Sequence, residues 1–136
     1  MTEITGTLDG PQLEALVELL YLAASADGDF SDDERKLFVH KVFKLTGDRM
    51  SNEALEGVVK RVEADVEREG RAARISSVRQ KLDSDGARHG ALLMAIDITM
   101  ADDVLRTSER EAIADIAEGL GIEPDVAADY IARMNR

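Results

Sequence analysis

The sequence predicts an all-α fold, and three observations support this. Apolar residues recur at helical spacing along nearly the whole chain. Asn-Gly hairpin turns and sustained alternation of apolar with polar residues, the usual signals of strands, are absent. No Pro/Gly/Ser-rich linker divides the 136 residues, a length that suits one core. We therefore expect a single domain of about seven helices over residues 1–136, with a flexible N-terminus at residues 1–8.

The first helix is expected over about residues 11–26, and the second from about Asp32 to just before Gly47. Pro11 fits a first turn, where its missing N–H leaves no helical hydrogen bond unmade. Gly47 fits the left-handed residue that commonly follows a helix. The apolar faces consist of Leu13, Leu16, Val17, Leu20 and Ala24 in the first helix, and of Phe38, Val39, Val42, Phe43 and Leu45 in the second.

The third and fourth helices are expected on either side of Gly70. Ser51 is a typical N-cap for the third, and the turn "DSDG" ends the fourth, whose apolar stripe is weaker. Their apolar positions are Leu55, Val58, Val59, Val62 and Val66, followed by Ile75, Val78 and Leu82.

Three more helices complete the predicted fold. The fifth, roughly residues 87–102, is apolar on most sides, which predicts that it is the central buried element. Gly121 ends the sixth and Pro124 opens the seventh. The inward-facing positions of these two are Ile113, Ile116, Ala117 and Leu120, then Val126, Tyr130, Ile131 and Met134.

The chain contains one internal repeat. The segment "ASADGDFSDDERKLFVHKVFKL" aligns, 75 residues later, with "TMADDVLRTSEREAIADIAEGL". Acidic and apolar positions agree in this alignment, although two copies are too few for a solenoid. We therefore expect two helix–loop–helix halves packed about a pseudo-twofold axis.

The charge restricts the classes of partner. Seventeen basic against 28 acidic residues give a formal net charge of −11, which disfavours nucleic acids and anionic membrane surfaces. Metal cations and basic protein surfaces are favoured instead. Because the chain lacks cysteine, disulfides and thiolate metal sites are excluded. The chain has neither a secretion signal nor an apolar run long enough to span a bilayer, so a cytoplasmic protein is expected.

The segment "ADGDFSDDE" places five carboxylates in nine residues, from Ala26 to Glu34. It matches the second half of an EF-hand calcium loop, in which an acidic residue, glycine, a carbonyl ligand, an apolar residue and a bidentate glutamate follow in order. The first half is missing, because Ala23 has no ligand oxygen where that loop needs one. A cation would therefore need water or a second segment to complete its oxygen shell. The predicted ligands are Asp27, Asp29, Glu34 and, through a water, Ser31.

The second copy of the repeat offers that other segment. "ADDVLRTSE" retains Asp102 and Glu109 as predicted ligands but has Asp103 in place of the glycine. A site here is expected to be weaker than the first, or to lend it a carboxylate. The expected cation is divalent, with Ca²⁺ favoured and Mg²⁺ or Zn²⁺ left open.

The same carboxylates have a second interpretation as helix caps. Ser31 and Glu34 fit a capping box, in which each side chain accepts the backbone N–H of the other residue. Ser108 and Glu111 fit a similar box in the second copy. Both interpretations stay open, because a cation and a cap can share Glu34.

The remaining polar residues show no catalytic motif, so no enzyme activity is expected. The chain has no nucleophile elbow, no P-loop and no glycine-rich dinucleotide turn. Neither histidine has a metal-binding spacing, and His40 is expected to have a structural role at or near the surface.

Two further features have open interpretations. Asp97 lies in the apolar fifth helix and is expected to pair with an arginine such as Arg110 or Arg133, with solvent exposure or a ligand role as alternatives. The basic segment from Arg68 to Lys81 is either a patch for an acidic partner or a solvated face that balances the charge.

With both acidic segments in view, the chain resembles the TerB-like family, named for a bacterial tellurite-resistance protein. The resemblance rests on "AASADGDFSDDERKLF" and "MADDVLRTSEREAIADIAEGLGI" and covers essentially the whole chain. It implies a compact all-helical domain, a role in stress responses to tellurite and other insults, and binding of divalent cations, calcium especially, through the acidic loops. By position, the ligands it implies are Asp27, Asp29, Glu34, Asp102 and Glu109.

The expected function is that of a non-enzymatic, cytoplasmic, stress-associated protein that binds a divalent cation and acts through an unidentified protein partner. The alternative is a structural adaptor without a metal site, whose carboxylates only cap helices.

Overall fold

The structure is a computed structural model that describes residues 8–25, 31–46, 49–100 and 107–134. These residues form seven α-helices and no strand, which confirms the predicted all-α fold. None of the seven is long and apolar enough to cross a membrane. In chain order they are α1 (Gly10–Ala24), α2 (Asp32–Leu45), α3 (Asn52–Glu69), α4 (Arg71–Lys81), α5 (Asp85–Thr99), α6 (Thr107–Gly119) and α7 (Pro124–Met134).

Helices α1 and α5 form the centre of the core. Their mutual contact is the most extensive between any two described helices, and α1 also packs against α3, α4 and α6. The predicted central position of α5 is confirmed, but α1 shares it because leucines occupy all its sides. Since α1 and α5 lead into the two repeat copies, which begin at Ala24 and Thr99, the two predicted helix–loop–helix halves contact each other there. The fully buried large side chains of this pair are Leu16, Leu19, Leu20, Leu22, Leu92, Met94 and Ile96.

Serine caps set the start of α2, α3 and α5. The hydroxyls of Ser51 and Ser84 accept hydrogen bonds from the backbone N–H three residues later, at 3.1 and 3.2 Å. Ser84 belongs to the "DSDG" turn, so this turn both ends α4 and caps the next helix. As a result, α5 spans Asp85–Thr99 rather than the predicted residues 87–102.

Two glycines allow α4 to pack closely against its neighbours. A Cβ atom on Gly119 of α6 would lie 2.2 Å from Cγ2 of Ile75, far inside van der Waals contact. Gly70 joins α3 directly to α4 with φ of 89° and ψ of 159°, a conformation that is essentially restricted to glycine. This sharp connection brings α4 against α1.

The described chain begins with a buried residue. Leu8 lies in the core, and its carbonyl accepts a hydrogen bond from Nη1 of Arg49 at 2.8 Å. Leu8 therefore does not belong to the expected flexible N-terminus, and residues 1–7 lie outside the described ranges.

Candidate functional site

The first acidic segment leads from the end of α1 into the first turn of α2, and the structure describes residues 31–34 of it. Asp27 and Asp29 lie outside the described residues. Ser31 and Glu34 form the predicted capping box: the N–H of Ser31 donates to Oε1 of Glu34, and the N–H of Glu34 donates to Oγ of Ser31, both at 3.2 Å. The cap interpretation is confirmed here. Glu34 is exposed, and its Oε2 accepts no hydrogen bond from a described residue.

The second acidic segment precedes α6. Asp102 lies outside the described residues, and Glu109 is half-buried in the first turn of the helix. Helix α6 begins at Thr107, so Ser108 lies inside the helix instead of at its N-cap. The prediction of a capping box between Ser108 and Glu111 is therefore wrong, because the helix starts too early for it.

The described residues alone do not form a metal site. Among them, no group of three or more acidic or histidine side chains could hold a metal ion. Three of the six predicted ligands, Asp27, Asp29 and Asp102, lie outside the described ranges. The cation site therefore stays a prediction.

The end of α1, where the first acidic segment begins, is held by two hydrogen bonds to its last carbonyls. Nη2 of Arg71 in α4 donates to the carbonyl of Leu22 at 2.5 Å, and Oγ of Ser25 donates to the carbonyl of Tyr21 at 2.8 Å. Burial lowers the pKa of the Arg71 guanidinium, yet an arginine keeps its charge in a protein. A cation at the C-terminus of α1 also complements the helix dipole.

The start of α2, where the segment ends, is held by a cluster around Glu63 of α3. Nη2 of Arg35 donates to Oε2 of Glu63 at 2.5 Å, and Nη1 donates to Asp32 at 3.2 Å. The hydroxyl of Tyr21 donates to the same Glu63 oxygen at 3.1 Å. Burial and the Glu63 charge raise the pKa of Tyr21 to about 12. This cluster joins α1 and the start of α2 to α3, so the helices on either side of the acidic segment are anchored.

A buried ion pair lies one turn further back along α1. Nε and Nη2 of Arg74 donate to the two carboxylate oxygens of Glu18, at 2.6 and 2.9 Å. Glu18 is only 1% exposed. Asp65 and Glu69 of α3 approach the same guanidinium at 3.8 and 3.4 Å, so Arg74 links α4 to both α1 and α3.

The basic segment from Arg68 to Lys81 contributes two arginines to contacts inside the domain. Arg71 and Arg74 contact α1, as described above, and Arg68 pairs with Asp65 at 2.7 Å and with Glu69 at 2.9 Å. Arg71 and Arg74 serve internal packing, whereas Arg68 is 66% exposed and pairs within its own helix. The segment is therefore not purely a solvated face, and its role as a patch for an acidic partner stays a prediction.

Asp97 and His40 both lie at the surface. Asp97 is exposed and lines a shallow pocket with Lys41 and Lys44. The solvent-exposed alternative for Asp97 is confirmed and the favoured pairing with an arginine is not, because α5 turns this side chain away from the core. Arg133 pairs with Asp129, at 3.0 Å. His40 is exposed, as expected.

The chain was next compared with known proteins. A family model described as "Tellurite resistance protein TerB" matches residues 4–131 of the 136-residue chain. The chain belongs to the TerB family. No match was found among curated proteins or among solved structures. The matched range contains both acidic segments, all of helices α1 to α6 and most of α7, which confirms the resemblance seen in the sequence.

Sequence analysis of this TerB domain missed the residues that anchor the first acidic segment. Arg35, Tyr21 and Arg71 bond to partners 28, 42 and 49 residues away, so no local spacing reveals them. One signal was available nearby: Glu18 interrupts the apolar run "LVELLYL". A carboxylate that is buried together with such a run needs a partner.

Proposed function

We propose that this TerB-family protein is a non-enzymatic cytoplasmic protein of the tellurite-resistance type. In this proposal it binds a divalent cation, Ca²⁺ above all, and acts through a protein partner. The ligands would be Asp27, Asp29 and Glu34, with Ser31 holding a ligating water and Asp102 and Glu109 contributing if the two acidic segments approach each other.

The observation that carries this proposal is the state of Glu34. Its carboxylate is exposed, and among the described residues only the N–H of Ser31 donates to it, through Oε1. No described residue donates to its second oxygen, which is the atom that would bind the cation. Asp32 and Asp33 are exposed beside it, and together these charges outweigh the partial positive charge of the helix N-terminus. Oxygen-rich surroundings of this kind suit a hard cation such as Ca²⁺.

The anchored ends of the segment support the same proposal. Arg71 holds the end of α1, and the bond between Arg35 and Glu63 holds the start of α2. Because the chain entering and leaving the segment is held by packed helices, binding a cation orders fewer residues than it would in a free peptide.

Cation binding would also change the surface that a partner meets. Asp32 bonds to Arg35 at 3.2 Å, so a cation next to Asp32 would weaken this bond and reduce the negative charge at the start of α2. A protein partner would then encounter a different charge pattern with and without the cation.

The second candidate function is that of a structural adaptor without a metal site. The capping box between Ser31 and Glu34 favours it, because the box already gives both side chains a structural role.

Two substitutions separate these functions. Glu34→Gln keeps an oxygen that can accept the N–H of Ser31, but it removes the charge that Ca²⁺ requires. Ser31→Ala removes the hydroxyl cap and keeps the carboxylate, and is expected to lower the free energy of unfolding by about 1 kcal/mol. Metal-free protein is titrated with Ca²⁺ and followed by amide NMR, and thermal unfolding is measured without metal.

Under the cation proposal, Ca²⁺ moves the amide signals of residues 27–34 and 102–109. Glu34→Gln abolishes these shifts without lowering the stability of the metal-free protein. Glu53→Gln is the matched control, since Glu53 is also an exposed glutamate in the first turn of a serine-capped helix. Spectra that stay unchanged at millimolar Ca²⁺ would exclude cation binding, and the structural adaptor would remain as the candidate function.

A further inference from the structure

A groove of about 580 Å³ lies between α6 and α7. Its size falls within the range of sites that bury ligands, about 300–1,000 Å³. Exposed Ala114 and Ala128 form part of its wall, so the groove opens to solvent. Most of its lining is apolar, including Ile113, Ala114, Ile122, Ala127, Ala128 and Ile131.

The apolar face of α7 is only partly covered by the described part of the domain. Ala127 is the one buried residue of this helix, whereas four larger apolar residues stay half-buried. Tyr130 anchors one side of α7, since its hydroxyl lies 2.7 Å from Nδ1 of His89 in α5. The side that carries Ala128 and Ile131 borders the groove. The half-buried residues are Val126, Tyr130, Ile131 and Met134.

The surroundings of the groove are strongly acidic. Residues 107–134 contain seven acidic and two basic residues, a net charge of −5 out of −11 for the chain. Glu118 and Glu123 line the groove itself, and neither forms an ion pair with a described residue. Arg110 also lines the groove, and the guanidinium of Arg79 lies against its Gly121 end. Even with these two arginines nearby, the surroundings of the groove keep an excess of negative charge.

We propose that the α6–α7 groove docks a basic amphipathic helix of a protein partner. Its apolar stripe would fill the groove between α6 and α7, and its lysines or arginines would lie over Glu118 and Glu123. Helices bind to apolar grooves in this way through residues at i, i+3, i+4 and i+7. Charge complementarity would steer the encounter and select a basic partner. The site goes beyond the proposed cation function, because its lining includes none of the predicted ligands.

The negative charge around the groove also disfavours two other occupants. A second copy of the chain would place two surfaces of net charge −5 against each other, and like charges across an interface oppose association. An anionic membrane surface is repelled for the same reason. A basic helix gains from both the apolar groove and the acidic surroundings.

The test uses a fluorescent model peptide of about 14 residues, or about four helical turns, built from leucine and lysine with the leucines at helical spacing. Binding to the full chain is followed by fluorescence anisotropy in EDTA, so that the result does not depend on the cation proposal. We expect saturable binding that weakens as salt rises. A peptide of the same composition with scrambled spacing is expected to bind at least about tenfold more weakly, a difference of about 1.4 kcal/mol.

Substitutions locate the site. Ala128→Lys, which places bulk and positive charge in the groove, is expected to weaken binding at least about tenfold. Ala64→Lys makes the same change at an exposed position of α3 and is expected to leave binding within about twofold, a free-energy difference below about 0.5 kcal/mol. Circular dichroism checks that both variants are folded.

Three outcomes would overturn the proposal. The first is no binding of the helical peptide, and the second is equal weakening by Ala128→Lys and Ala64→Lys, which would mean unspecific attraction to an acidic protein. The third is a dimer that is detected by sedimentation and that Ala128→Lys dissociates. In that case a second copy of the chain would occupy the groove.

Discussion

Replacing Arg74 by methionine tests whether a buried ion pair holds α4 against α1. The substitution keeps the length and most of the apolar volume of the side chain but removes the guanidinium. Glu18, which is 1% exposed, then loses both hydrogen bonds to Arg74, at 2.6 and 2.9 Å. Its carboxylate stays buried without a cation.

The expected loss is large compared with the stability of a domain of this size. Removing one partner of a buried ion pair costs about 3–5 kcal/mol, because the remaining charge is left without compensation. Two charge-assisted hydrogen bonds, at about 1.5–3 kcal/mol each, give a similar figure. The total free energy of unfolding of a typical domain is only about 5–15 kcal/mol. Asp65 and Glu69 add to the loss, since both approach the same guanidinium.

Urea unfolding of the wild type and Arg74→Met measures this difference, with similar slopes showing that both expose the same surface. The double variant Glu18→Met with Arg74→Met is the control. It removes both charges, and an apolar pair is expected to recover at least about 2 kcal/mol of the loss. The reasoning fails if the single variant loses less than about 1 kcal/mol, or if the double variant is no more stable than the single one.

Two further predictions concern packing and pH. Gly119→Ala is expected to lower the free energy of unfolding by about 1–3 kcal/mol, because its Cβ overlaps Cγ2 of Ile75. Ile75→Ala removes Cγ2, so in urea unfolding the double variant should lose less than the sum of the two single losses. A neutral Gly119→Ala would contradict the close approach. Burial and Glu63 raise the pKa of Tyr21 to about 12 from its ordinary 10, so the unfolded chain loses this proton first. The contribution of this group to the free energy of unfolding is therefore full below pH 10, and about 3 kcal/mol is lost as pH rises through 12. The same decline in Tyr21→Phe would show that other groups cause it.

The candidate site was only partly predictable from sequence. Ser31 and Glu34 form the cap that their spacing predicts, because a capping box depends on residues three positions apart. The same reasoning was wrong for Ser108, since α6 begins at Thr107 and Ser108 therefore lies inside the helix. For Asp97 the apolar neighbours in sequence favoured an arginine partner, but the alternative of solvent exposure is the one that the structure confirms.

The sequence by itself determined the fold class, the order of the seven described helices, most of their apolar faces and the TerB family, because each depends on patterns within a few residues. Only the tertiary structure decided what surrounds these helices. Glu18 and Arg74 are 56 residues apart, and they meet because Gly70 and Gly119 let α4 pack closely against its neighbours. The groove between α6 and α7 likewise depends on the distance and angle at which two helices cross, and helical spacing shows which face is apolar without showing what covers it.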